Sequence, residues 1–190
     1  MKNYKTEIEQ YISQEISVLK TLDLNSINIV MNLLENARNN NANIYICGNG
    51  GSAATASHFV CDFNKGISIN QDKKYNFVCL NDNVPTMMAI ANDIGYDYIF
   101  KVPIENKIGV NDLFIGISGS GNSKNVLRAA EYAKECGTTV IGITGYNGGE
   151  LKKISDYSLH VDVDNMQITE DVHMILDHLM MWIISNEGDK

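Results

Sequence analysis

Residues 46–63, ICGNGGSAATASHFVCDF, set a small-residue loop directly before an imidazole and a carboxylate, His58 and Asp62, spaced four apart. An apolar strand that ends in a Gly/Ser loop and runs into a helix leaves backbone N–H groups unpaired at the positive end of the helix dipole, which suits a phosphate. On a helix starting near Ser52, the side chains Ala56, Phe59, Val60 and Phe63 make the buried stripe. His58 and Asp62 then share the remaining surface as i,i+4 neighbours about 40° apart. A carboxylate and an imidazole beside an anion anchor are a pair that could move protons on a bound anionic substrate. The same spacing also describes a solvated surface pair. What favours chemistry is position, because this helix begins at the glycine loop.

A second loop, SGSGNS, adds the hydroxyls of Ser118, Ser120 and Ser123 to a similar turn. It reads as a phosphate cradle, or as a tight βα turn in which Ser123 caps the following helix. Neither loop matches G-x-x-x-x-G-K-[ST] or G-x-G-x-x-G, so no nucleotide cofactor is expected, and Asn81-Asp82 after the second strand lacks the dinucleotide fingerprint. Near the end, TEDVHMILDHLMMW offers two histidines and three carboxylates. Helical periodicity makes Val172, Leu176, Leu179 and Ile183 its apolar stripe and leaves Glu170, Asp171, His173, Asp177 and His178 off it. Asp171 and His178 share one flank; Glu170, His173 and Asp177 share the other. Periodicity does not choose between them.

The elements that must position these groups alternate. Helical patterns cover residues 4–20 and 25–40. Five β-rich runs, NIYICGNGG, KYNFVCLND, DLFIGISGSG, TTVIGITGYNGG and DYSLHVDV, then alternate with helical stretches near 52–63, 84–107 (broken around 93–96), 123–136 and 148–154, and a helix at 168–185 closes the chain. Strand–helix alternation predicts an α/β fold with a parallel sheet and helices on both faces. Three of the strands end in small-residue loops that open helices, and ligands bind at the carboxyl ends of such sheets. With 190 residues and no linker-like segment, the expectation is one domain, with N-terminal helices over 1–41 and an α/β core with its C-terminal helix over 42–190.

The net charge of −8, with no basic run longer than Lys73-Lys74 or Lys152-Lys153, disfavours nucleic acid or an anionic membrane as partner. A small anionic substrate is compatible with it, since amides and hydroxyls bind phosphate locally. The four cysteines form no C-x-x-C pair and read as buried free thiols of a reducing compartment. Without a leader-like N-terminus or an apolar run near ~20 residues, the expected location is the cytoplasm.

Taken together, GNGGSAATASHF, AIANDIGYDYIF, ISGSGNSKNVLRAAEYAKECG, ITGYNGGEL and TEDVHMILDHL resemble the phosphoheptose isomerases of the sugar isomerase (SIS) domain group, in order, over about residues 25–185. The resemblance implies a flavodoxin-like five-stranded parallel sheet, a homotetramer with sites between subunits, and aldose–ketose isomerisation of sedoheptulose 7-phosphate that feeds heptose synthesis for surface polysaccharide. By position it implies Ser118, Gly119, Ser120 and Ser123 at the phosphate, and Asn49, Gly50, Gly51, Ser52 and Asp93 as further substrate contacts. Asp62 stands at the catalytic base and His178 at its partner histidine. His58, Asp62, Glu170 and His178 occupy the positions that hold zinc in zinc-containing members.

This chain departs from that pattern at several of these places. Asp62 replaces a glutamate, Glu170 a glutamine and Gly119 a threonine; Gly66 stands where an arginine is common, with Lys65 beside it, and Gln167 where an aspartate is usual. Two rival readings are a non-catalytic SIS module that binds a sugar phosphate or a partner protein, and an isomerase of a pentose or hexose phosphate. Retention of both Asp62 and His178 argues against the first. The second differs by pocket depth, which sequence does not display.

Overall fold

The structure, a computed structural model, describes residues 2–186. Two helices lead, α1 (Lys5–Leu19) and α2 (Leu24–Asn39), the latter capped by the Asp23 carboxylate on the Asn25 amide. Then follow β1 (Ile44–Gly48), α3 (Gly51–Cys61), β2 (Phe77–Cys79), α4 (Val84–Asp93), the short α5 (Lys101–Ile104), β3 (Leu113–Ser118), α6 (Lys124–Glu135), β4 (Thr139–Thr144), α7 (Gly149–Ile154), β5 (Tyr157–His160) and α8 (Met166–Ser185). All five strands are parallel, in the order β2-β1-β3-β4-β5. The chain therefore reverses its winding direction between β1 and β3, the place where an open α/β sheet leaves a crevice at its carboxyl edge.

Strand alternation divides the core in two. Ile44, Ile46, Ile115, Ile117 and Ile143 face α2, α3 and α8, packing on Leu34, Phe59, Leu176 and Met180. Tyr45, Cys47, Phe114 and Val140 face the other way, onto α4 to α7 through Ile90, Phe100, Ile104, Val126 and Leu151. A smaller cluster joins α1 to α8 through Val18, Val161, Ile168 and Val172. Beside it the Tyr11 hydroxyl donates to the Asp171 carboxylate, a bond that pushes the phenol up to about 12 and ties the first helix to the last.

Two features depart from the sequence reading. The helix expected over 52–63 turns α-helical only to Cys61 and continues as a π-helical segment, Asp62–Ile67. Its wider turn brings Gly66 onto the Met181 methyl group of α8. The buried face of α8 is also not the expected one: it runs through Ile168, Thr169, Val172, His173, Leu176, Asp177, Met180 and Ile184, while Ile183 is exposed. At 100° per residue this arc is rotated by roughly 50° from the stripe centred on Val172, Leu176, Leu179 and Ile183. The rotation buries His173 and Asp177, two polar groups expected off the apolar stripe. Its cause is packing on two sides at once, against the sheet face and against the α1 cluster.

Among the described residues, no helix is long and apolar enough to cross a membrane. The four cysteines are free thiols, with Cys47 and Cys79 buried, Cys136 half-buried and Cys61 exposed.

Candidate active site

The loops after β1 and β3 meet at the crevice. Gly50, with φ +55, turns the first loop in a left-handed conformation that glycine adopts without strain. Asn81 holds the end of β1, its amide donating to the Gly48 carbonyl at 2.8 Å and its carbonyl accepting from the Gly48 amide at 3.2 Å. Asn49 then exchanges two amide hydrogen bonds of 2.9 Å with Asn125 at the start of α6 and accepts a third, of 2.8 Å, from the Tyr96 hydroxyl. Asn125 is buried, so this reciprocal pair fixes one loop against the other. Ser52, also buried, sits in the first turn of α3.

In the second loop Ser118 ends β3, buried, with its hydroxyl 3.0 Å from that of Ser123. Ser123 is the N-cap residue of α6 but makes no side-chain cap bond; its hydroxyl turns to Ser118 instead. Ser120 is exposed and accepts from the Asn122 amide. Gly119 lies against the Met166 sulfur. Gly121, at φ +66, is pressed so close to the Gly148 carbonyl that no side chain fits, and the Leu151 amide donates to its carbonyl at 2.9 Å. The loops after β3 and β4 are thereby one rigid unit, bordered by a cavity of about 640 Å³ lined by Ser120, Asn122, Tyr146, Asp162, Asp164 and Met166.

The titratable groups gather where α3 passes into the π-helical segment and crosses α8. His58 and His178 face each other with Nε2 atoms 3.0 Å apart, and Asp62 Oδ2 lies 3.5 Å from the first and 4.0 Å from the second. Both imidazoles are partly open to solvent while Asp62 is mostly covered, its side chain 13% exposed. Asp177 is the fourth member: His58, Asp62, Asp177 and His178 each offer a donor atom, all within 4.8 Å of one another. Asp177 is fully buried and neither carboxylate oxygen has a hydrogen-bond partner. Burial first, and the neighbouring Asp62 charge second, push it up to about 8.

Glu170, expected among the metal donors, lies elsewhere. Its carboxylate sits over Gly51 in the first loop, in the space a Cβ there would take, and it is not among the four clustered donors. Asp93 ends α4, exposed, accepting from the Asn92 side chain, and no described contact joins it to the loops. Asp171 is occupied by Tyr11. Asn125 and Tyr96 carry no signal in the sequence, and Asn81 stands out there only beside Asp82 as a weak dinucleotide signal, because nothing in helical or strand periodicity marks a side chain that braces a loop. Periodicity assigned Asp177 to the flank opposite His178.

The donor set suits zinc. Ligand atoms around a four-coordinate zinc at ~2.0–2.2 Å stand roughly 3.3–3.6 Å from each other. Here the imidazole and Asp62 spacings are 3.0, 3.5 and 4.0 Å with Asp177 within 4.8 Å, a looser set that a cation would draw in, and two imidazoles with carboxylates are a fitting chemistry. The unpartnered oxygens of Asp177 supply the observation that a cation would satisfy.

Switch-point loops rich in small hydroxyl residues, beneath a parallel sheet ordered 2-1-3-4-5, define a sugar-isomerase-type α/β protein, and the SIS domain family matches residues 5–145. A phosphoheptose isomerase of Helicobacter pylori (strain Shi470) is 35% identical over 173 residues, 90% of this chain and 87% of that one, and a probable phosphoheptose isomerase of Thermoplasma acidophilum is 32% identical over 181 residues, 95% and 99%. The solved phosphoheptose isomerase from Neisseria gonorrhoeae superposes with a TM-score of 0.88 at 27% identity, covering 97% of this chain and all of that one. The chain belongs to the phosphoheptose isomerase family.

Proposed function

We propose that this chain interconverts sedoheptulose 7-phosphate and the corresponding heptose 7-phosphate aldose through an enediol. The observation that carries the reading is the carboxylate–imidazole pair Asp62 and His178, in a chain that also has a serine-lined turn after β3 and is similar along most of its length to phosphoheptose isomerases. The pair lies at the far end of α3 from the first loop, so the reading joins the loops of one subunit to the pair of a neighbour. Ser118, Ser120 and Ser123, with the first-turn amides of α6, hold the phosphate. Asn49, Gly50, Gly51 and Ser52 line the sugar.

Asp62 takes a proton from C1 of the ketose while His178 places one on the C2 oxygen, giving the enediol. His178 then removes the proton on the C1 oxygen as Asp62 returns its proton to C2, leaving the aldehyde at C1. The oxidation of one carbon is matched by reduction of its neighbour, so no electron acceptor is consumed. The proton transfers describe the metal-free site; zinc, if held by His58, Asp62, His178 and a fourth donor, would take up the same lone pairs and would supply Lewis-acid polarisation of a substrate oxygen instead.

The active form is a homotetramer with sites between subunits. Support comes from apolar surface left open: Ile8, Ile12 and Ile16 along α1, Leu24 at the start of α2 and Trp182 on α8, all about half exposed or more. An apolar groove between α2 and α8, lined by Ile27, Met31, Leu179 and Ile183, continues that surface.

Purified protein is incubated with five-, six- and seven-carbon ketose phosphates, and aldose formation is followed. The seven-carbon substrate alone is expected to turn over. Preference for a shorter ketose reassigns the substrate, and no turnover of any, with retained phosphosugar binding, makes the chain a binding module.

A further inference from the structure

We infer that Asp177, and not Glu170, is the fourth protein ligand of a zinc site completed by His58, Asp62 and His178. The inference deepens the reading of this site as metal-holding, and it is tested by metal binding rather than by turnover, so failure of the isomerase assignment leaves it intact.

Three observations converge on Asp177. Its side chain is wholly removed from solvent, yet neither oxygen meets a donor. A buried carboxylate with two empty acceptor oxygens is among the most unfavourable arrangements in a protein interior unless a proton or a cation satisfies it. No hydrogen bond from Asp62 or any other described residue reaches either oxygen. The carboxylate is instead aimed at donors, within 4.8 Å of both imidazoles and of Asp62. Glu170 has a place of its own, packed over Gly51 in the first loop.

Backbone geometry supports the same set. His58 and Asp62 are i,i+4 neighbours at the end of α3, and Asp177 and His178 are consecutive on α8, which crosses it. Successive helix residues diverge by about 100°. Asp177 therefore approaches the cluster from the buried side of α8 and His178 from the solvent side. Two carboxylates, two neutral imidazoles and a dication sum to zero charge, the condition under which two adjacent carboxylates both stay ionised in a mostly covered site.

The full chain is stripped with chelator and titrated with Zn²⁺ against a chromophoric competitor, alongside Asp177→Asn, Asp177→Leu and Glu170→Gln. Wild type is expected to take one zinc per chain. Asp177→Leu should weaken binding by at least roughly 10- to 100-fold, the loss known for even outer partners of a metal, with Asp177→Asn intermediate and Glu170→Gln within about threefold of wild type. Melting curves report whether each variant folds: metal-free Asp177→Leu, relieved of its orphaned carboxylate, should melt above metal-free wild type and gain less from a given zinc concentration. With Co²⁺ as probe, wild type and Glu170→Gln should share one visible absorption band, and Asp177→Leu should lose or shift it. No zinc uptake by wild type, unaltered affinity in Asp177→Leu, or a loss in Glu170→Gln as large as that in Asp177→Leu overturns the assignment.

Discussion

Asp62 carries one methylene fewer than the glutamate the family pattern places there, which draws the carboxylate back by about 1 Å, and a misplacement of that size in a rigid site costs ~10²-fold in rate. The surroundings differ correspondingly: the π-helical segment starts at Asp62, Gly66 lets Met181 pack against it, and Asp177 stands behind it. Asp62 is therefore expected to be competent at its present length. Asp62→Asn should abolish isomerisation and leave substrate affinity within a few-fold, because an amide keeps the shape but takes no proton, whereas Asp62→Glu should not raise kcat; steady-state kinetics with a direct binding measurement separates the two. The serines act on binding instead. Ser120→Ala should raise KM, and Ser118→Ala with Ser123→Ala should raise it further, each lost bond to phosphate being worth roughly 1.5–3 kcal/mol; unchanged KM in all would remove the loop from the site. Types and spacing made His58, Asp62 and the serines visible in the sequence. Asn125 was not visible, since its contribution is a bond to Asn49, 76 residues away.

At the scale of elements, α8 shows where periodicity misleads. Leu179 and Ile183 belong to the apolar stripe the sequence suggests, but α8 presses a neighbouring arc onto the sheet and takes His173 and Asp177 inside with it. A hydrophobic pattern reports what is available for burial, and the fold selects which part of it is used. The existence of every strand and nearly every helix boundary was legible because alternation and glycine turns are local signals; the π-helical segment was not, because its spacing is set by contact with α8. Burying His173 has a measurable effect. Burial, with the His160 charge adding to it and the Thr144 carbonyl opposing, pushes it down to about 4, against ~6.5 in the unfolded chain. Above pH ~6.5 both states are neutral and the fold keeps its full stability. Below it the unfolded chain binds a proton that the folded one refuses, so stability falls from pH ~6.5 toward ~4, by about 3 kcal/mol in all. Denaturant midpoints across that range should decline in wild type and decline less in His173→Leu.

At the scale of the whole molecule, large apolar side chains of α1, α2 and α8 lie open. Ile8, Ile12 and Ile16 form an exposed row on α1, while Tyr11, Val18 and Leu19 anchor that helix inward. Light scattering at micromolar concentration should give a tetramer, and removal of residues 1–20 should lower both the mass and the activity; a fully active monomer would remove the shared-site idea. The order of the strands has a kinetic consequence as well. Asn43 and Asp112, which open the β1–β3 pairing, stand 69 residues apart, so the two loops of the crevice cannot meet until that long span has closed. Parallel pairing across such separations comes late and slowly, after local helices and turns. A sugar phosphate thus finds no half-built binding place on the way down. It should leave the refolding rate untouched and act only by holding the finished protein, lengthening its lifetime against unfolding.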